Sequence, residues 1–181
     1  MRKSKLLALF SLSLLILASA FSTGCKRHQK PNIAATIEDQ EELSSIVHMA
    51  DPAAASQLLR GFHPVEQNAW RWSMQKFAVS LRAPAKAQVN GAMLELRFAI
   101  PDVVIEKLKE LTLSATLNGL AIEPVKYDKP GDQVYSREVP ASALKGEAVT
   151  VEFSLDKVLP AGSVDQRELG VVVTSVSLES K

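Results

Sequence analysis

Leu111-Thr112-Leu113-Ser114-Ala115-Thr116-Leu117 places an apolar residue at every second position, and Asn118-Gly119 follows it before a second extended stretch from Ala121 to Tyr127. Alternation with period two puts one set of side chains on each face of a strand, and Asn-Gly is the strongest short-range signal for a tight hairpin turn. The unit read here is therefore strand, turn, strand. The same period recurs at Phe77-Val79-Leu81, at Met93 or Leu94 through Leu96, Phe98 and Ile100, at Val149-Val151-Phe153-Leu155, and at Val171-Val173-Val176-Leu178 with a slip near Thr174. A shorter strand fits Gln133 to Val139. Turn signals separate these runs at Ala83-Pro84, Asn90-Gly91, Lys129-Pro130-Gly131, Lys145-Gly146 and Pro160-Ala161-Gly162. Asp102 to Glu110 reads as a helical turn on a long connection. With seven or eight short strands and no strand-helix-strand rhythm, the expectation is a mainly β domain, an antiparallel β-sandwich over residues 61–181.

Upstream of that domain the pattern changes. Between Gln40 and Arg60 the apolar positions Leu43, Ile46, Val47 and Met49, then Leu58 and Leu59, fit helical spacing in two pieces broken at Asp51-Pro52. Asp51 is placed to cap the second piece, with Pro52 at its first position and Gly61 just past its end. Residues 40–60 are accordingly read as short N-terminal helices. Residues 25–39 are polar, contain Pro31 and show no apolar periodicity, which predicts a flexible tether.

The 181 residues are 46% hydrophobic and 23% charged, with 21 Lys+Arg against 20 Asp+Glu, so the chain has the apolar content to fold. Arg2, Lys3 and Lys5 precede an uncharged run from Leu6 to Phe21, too short and too rich in serine for a membrane span, which reads as a secretory signal over residues 1–24. A chain starting at Cys25 has 157 residues and keeps 18 Lys+Arg against 20 Asp+Glu, a net charge of −2. That balance excludes electrostatic capture of nucleic acid, which needs a concentrated basic surface. One Cys permits no internal disulfide and no Cys-based zinc cluster, and the His residues are scattered at 28, 48 and 63, so neither a metal nor a cofactor is expected.

Two cleavage sites compete in the leader. Ala18-Ser19-Ala20 has the small-x-small form of ordinary processing, whereas Ser22-Thr23-Gly24-Cys25 resembles the lipobox of bacterial lipoproteins, although Ser22 stands where an aliphatic residue is usual. That resemblance implies lipidation at Cys25, with a diacylglyceryl thioether and an amide-linked acyl chain such as palmitate, and several chains together anchor durably where one does not. The expected location is extracytoplasmic, lipid-anchored to a bacterial membrane. Lys26 rather than Asp after Cys25 favours the outer membrane.

The densest polar and aromatic cluster is Gly61-Phe62-His63-Pro64-Val65-Glu66-Gln67-Asn68-Ala69-Trp70-Arg71-Trp72-Ser73. Both tryptophans of the chain lie here two residues apart, so on a strand they share a side and Arg71 takes the other. Paired indoles stack on the axial C–H face of a sugar, and Glu66, Asn68 and Arg71 suit its hydroxyls. The competing reading packs one or both indoles in the core and puts Arg71 in an ion pair, with Glu66 or Glu168 as partner. A second cluster, Asp165-Gln166-Arg167-Glu168-Leu169-Gly170, is either a polar site facing the first or a loop whose Arg167 and Glu168 fix a sheet corner. No nucleophile, phosphate-loop or dinucleotide motif accompanies them, and no spacing marks a glycosidase acid and base, so no enzyme is expected.

Gly61-Phe62-His63-Pro64-Val65-Glu66 with Trp70-Arg71-Trp72-Ser73, and Asp165-x-Arg167-Glu168-Leu169-Gly170 near the end, resemble a bacterial β-sandwich domain of uncharacterised role. Related segments occur in domains attached to glycosyltransferases and other cell-surface glycan proteins, and in lipoproteins. The resemblance spans about residues 55 to 178 and implies a non-catalytic binding or interaction module for glycan or cell-envelope components, with the membrane as partner through the lipid anchor. The alternative is a structural or assembly-partner lipoprotein without a small-ligand site. Burial of Trp70 and Trp72 separates the two.

Overall fold

The structure, a computed structural model, describes residues 43–181. The signal, Cys25, Lys26 and the tether lie outside the described residues. Among the described residues nine strands carry the fold: β1 (Ile46–His48), β2 (Leu58–Phe62), β3 (Arg71–Arg82), β4 (Ala92–Ile100), β5 (Leu111–Leu117), β6 (Leu120–Tyr127), β7 (Gly131–Val139), β8 (Ala148–Leu155) and β9 (Val172–Ser180). All pair antiparallel, in the order β6-β5-β8-β3-β9-β4-β7, with β2 also beside β3 and β1 also beside β9. The strands Phe77–Leu81, 93–100, 111–117, 121–127, 133–139, 149–155 and 171–178 all appear; in 93–100, 111–117 and 149–155 the apolar alternation matches a buried face and a more exposed one, whereas Phe77-Ala78-Val79 and Val171-Val172-Val173 are buried on both sides.

β3 joins the two layers. Its first residues, Arg71 and Trp72, pair with Val173 and Val172 of β9, and from Lys76 onward it pairs with β8 instead. One strand thus serves both sheets. The inner faces meet in a core that includes Phe77, Val79, Leu81, Leu94, Leu96, Leu113, Val151, Phe153 and Val176, all buried. Phe77 and Phe153 stack at 5.0 Å, and Tyr135 meets Phe153 edge-on at 6.3 Å.

Local chemistry explains the connections. Asn118 and Gly119 take φ of 48° and 84°, the left-handed pair that a two-residue hairpin between β5 and β6 demands. The slip near Thr174 is a bulge: Arg97 of β4 pairs with Ser175 and Phe98 with Val173, and the skipped Thr174 donates its hydroxyl to the Arg97 carbonyl at 3.1 Å. The segment Asp102–Leu108 forms a short helix, α2, after the single turn α1 (Ala87–Asn90).

The reading of residues 40–60 as helices is corrected over its described part. Ile46–His48 is strand, paired with β9, because Val47 and Met49 both point into the core while Ile46 and His48 face out. The second piece is a 3-10 helix over Pro52–Gln57, and Asp51 caps it as expected, its Oδ1 accepting from the Ala53 amide at 2.9 Å. It stops at Gln57 rather than at Gly61, and Leu58–Phe62 is already β2. The sandwich therefore begins before residue 61.

Candidate functional site

The two sequence clusters meet at one end of the sandwich. β2 and β3 are joined by a hairpin in which the His63 amide donates to the Trp72 carbonyl at 2.9 Å and the Glu66 amide to the Trp70 carbonyl at 2.8 Å. Gln67 and Asn68, with φ of 52° and 51°, turn the tip, and both are exposed. Amide side chains tolerate this left-handed backbone better than most. The Glu66–Trp70 bridge sets these residues directly opposite each other, an arrangement in which side chains share a face.

Trp72 packs against the core, and Trp70 rests on Trp72 edge-to-face, centroids 6.3 Å apart at 85°. Both indoles are half-buried. Perpendicular rings cannot form one flat plate, so the pair presents a single outer indole, Trp70, propped by the inner one. The shared side expected for the two rings is present. The doubled platform is not.

Arg167 closes the site from the other cluster. Its Nη1 donates to Glu66 Oε1 at 2.7 Å, while Nε and Nη2 form a fork to Asp165 Oδ1 and Oδ2 at 3.1 and 3.0 Å. The Arg167 amide also donates to Asp165 Oδ1 at 2.9 Å. These hydrogen bonds from Arg167 hold the Asp165 carboxyl down at about 2, and its bonds to Asp165 and Glu66 push the guanidinium higher still. The three side chains are about one-third exposed, at 33–34%. The group is a prearranged polar patch open to solvent.

Arg71 departs from its expected partner. Its Nε donates to the Met49 carbonyl at 2.9 Å and its Nη1 to the His63 carbonyl at 3.1 Å, so it ties β3 to the segment after β1 and to the hairpin, not to Glu66 or Glu168. Glu168 instead accepts from the Gln75 amide at 2.7 Å, and its carbonyl accepts from His63 Nε2 at 2.7 Å. Buried Ser73 completes the seam: its Oγ accepts from the Val171 amide and its carbonyl from Gly170. Of the six expected site residues, Glu66, Trp70, Trp72 and Arg167 thus build the exposed patch, and Arg71 and Glu168 fasten the elements beneath it. Asp165 was the member that residue type alone did not single out. Its signal is the i, i+2 spacing to Arg167, which permits a side chain to pair within its own loop.

Among the described residues no group of three or more His, Cys, Asp or Glu side chains is placed to hold a metal ion. No family model matches the chain, and no curated protein does. Among solved structures, the chain is similar to a family GH115 4-O-methyl-α-glucuronidase with specificity for decorated arabinogalactans (TM-score 0.50, 9% identity), over 77% of this chain and 18% of that one. It spans under a fifth of that enzyme's length, and the likeness is one of fold. Looser resemblances include a family 35 carbohydrate-binding module from Clostridium thermocellum (TM-score 0.44, 9% identity, 75% of this chain and 98% of that one). A mannan-recognising carbohydrate-binding module is comparable (TM-score 0.44, 11% identity, 77% and 98%).

Proposed function

We propose that this protein is a non-catalytic glycan-binding module held on the outer side of a bacterial membrane by lipid at Cys25, with the Trp70 hairpin as its binding point. The observation that carries the reading is the half-buried Trp70 indole propped on Trp72 beside the Glu66–Arg167–Asp165 group. An indole face is the apolar complement of the axial C–H plate of a sugar, and the carboxylate and amide groups at the hairpin tip suit its hydroxyls. Because Arg167 is already fixed by both carboxylates, little ordering entropy opposes binding. A single stacking face fits one sugar ring of a chain and predicts modest affinity.

Titration of the full chain with neutral oligosaccharides, followed by tryptophan fluorescence and calorimetry, tests the site. Trp70→Ala is expected to abolish binding while leaving Tm nearly unchanged; binding that survives the substitution overturns the assignment. For the anchor, Cys25→Ala is expected to release the protein from the detergent-partitioning membrane fraction, and unchanged partitioning overturns lipidation. No helix among the described residues is long and apolar enough to cross a membrane. The structural alternative draws on the same ion-pair group, since Arg167 also bridges the hairpin to the loop before β9.

A further inference from the structure

The outer face of β3, β8 and β5 carries a second polar site away from the hairpin. Two cross-strand rows form its floor: Lys76, Ser154 and Ser114 stand side by side, and next to them Ala78, Glu152 and Thr116. β2 adds Arg60 opposite Ala78. Because Ala78 is small, the Arg60 guanidinium crosses over it and pairs with Glu152 on the next strand, and Thr116 Oγ1 approaches the other carboxylate oxygen at 3.5 Å. Between these groups lies an open depression of about 260 Å3. Its rim holds two cations and one carboxylate, and Lys76 has no ion pair among the described residues.

We infer that this depression binds a uronate unit of an acidic glycan, its carboxylate on Lys76 and its hydroxyls on Ser114, Thr116, Ser154 and Glu152. The inference rests on the glycan-binding reading for the class of ligand and extends it to a charged one. Hydroxyl side chains both donate and accept, as a polyol requires, and the one charge left over after the Arg60–Glu152 pair is positive. A neutral sugar leaves that ammonium without a counter-charge; a bare inorganic anion can use the hydroxyls only as donors and leaves their acceptor side idle. The volume falls below the ~300–1,000 Å3 of drug-sized pockets and suits one sugar unit with the rest of the chain outside. Trp70, Trp72, Met74 and Lys76 follow one another two residues apart along the chain, and six residues of strand span roughly 20 Å, a distance that a glycan of several units bridges from the indole to the ammonium.

The full chain titrated with trigalacturonate, with neutral maltotriose and with sulfate tests this. Trigalacturonate is expected to bind more tightly than maltotriose, with an affinity that falls as NaCl rises, because the Lys76 contact is exposed to screening. Lys76→Gln is expected to weaken trigalacturonate about tenfold, the loss of one charge-assisted contact, and to leave maltotriose and Tm unchanged. Ser154→Val should weaken trigalacturonate without changing its salt dependence. Equal trigalacturonate affinity in wild type and Lys76→Gln overturns the inference, as does sulfate binding at the same strength as the sugar. If maltotriose binds and responds to Trp70→Ala while trigalacturonate binds no better than maltotriose, only this inference fails; if neither saccharide binds the wild-type chain, the glycan reading itself fails.

Discussion

Arg71 spends its guanidinium on two backbone carbonyls, those of Met49 and His63, and so pins the chain after β1 and the start of the hairpin to β3. Removing it leaves two partly buried acceptors without a donor. A hydrogen bond to a charged group contributes about 1.5–3 kcal/mol, but both of these are only partly buried and water replaces part of each, so Arg71→Ala is expected to destabilise by about 2 kcal/mol in all. For a domain of this size that lowers Tm by about 4–8 °C, measurable by thermal unfolding. Arg71→Lys should recover at most half of it, since one ammonium does not span both carbonyls. A full Tm in Arg71→Ala would remove Arg71 from the framework. The sequence marks Arg71 as a residue that must find partners, but it cannot mark which. Carboxylates stand out in a sequence as candidate partners. Every residue has a carbonyl, so the acceptors that Arg71 uses carry no signature. Trp70 and Trp72 were legible as a same-side pair because strand period fixes that; their 85° ring angle depends on packing and is not encoded in spacing.

The β2–β3 hairpin is the element whose local signals were most ambiguous. Gly61 follows a capped helical start at Asp51-Pro52, so it reads as a helix stop, yet it lies inside β2 where the pairing to β3 shifts register. Its φ is +77°, and a Cβ there would collide with the Lys76 carbonyl oxygen and lie 2.6 Å from Phe77 Cα. Glycine is required by conformation and by close approach together, not by a helix end. Gly61→Ala combines a left-handed backbone penalty of about 1–2 kcal/mol with overpacking of about 1–3 kcal/mol, so a loss of about 3 kcal/mol is expected. Urea unfolding should show a lower midpoint with an unchanged slope. Because Phe77 stays in the core while β2 shifts, saccharide affinity at the hairpin should fall with it; an unchanged midpoint would show that the strands slide apart at no expense. The short runs at Ile46–Met49 and Leu58–Leu59 are ambiguous for a related reason: a few apolar residues fit both periods, and pairing with β9 and β3 decides between them.

At the scale of the whole molecule the strands were legible and their neighbours were not, since alternation gives each strand two faces but says nothing about which edge meets which. The order β6-β5-β8-β3-β9-β4-β7 leaves β6 and β7 at its two ends, although they follow one another in sequence. No backbone ladder joins them. Side chains cross the gap instead: Tyr127 Oη donates to the Val134 carbonyl at 3.3 Å, and the Glu123 carbonyl accepts from Tyr135 Oη at 2.9 Å and from Arg137 Nε at 3.2 Å. Tyr135 is fully buried, and burial pushes its phenol from 10.0 up to about 12, with Tyr127 shifted in the same direction for the same cause. A raised value means that the folded protein keeps a proton the unfolded chain releases. Stability from this group is therefore complete below pH 10 and is lost as the pH rises from 10 to 12, at up to about 1.4 kcal/mol per pH unit for one proton. Tyr135→Phe removes one of two hydrogen bonds to the Glu123 carbonyl, about 1 kcal/mol at pH 8, and leaves that carbonyl its Arg137 Nε donor at 3.2 Å. It also removes the ionisable group, so the substituted protein should start with a lower urea midpoint at pH 8 and decline less between pH 10 and 12 than the wild type. Parallel alkaline declines in the two proteins would mean that the seam opens before Tyr135 ionises, and that the two edges are held by the core behind them and not by the tyrosines that span them.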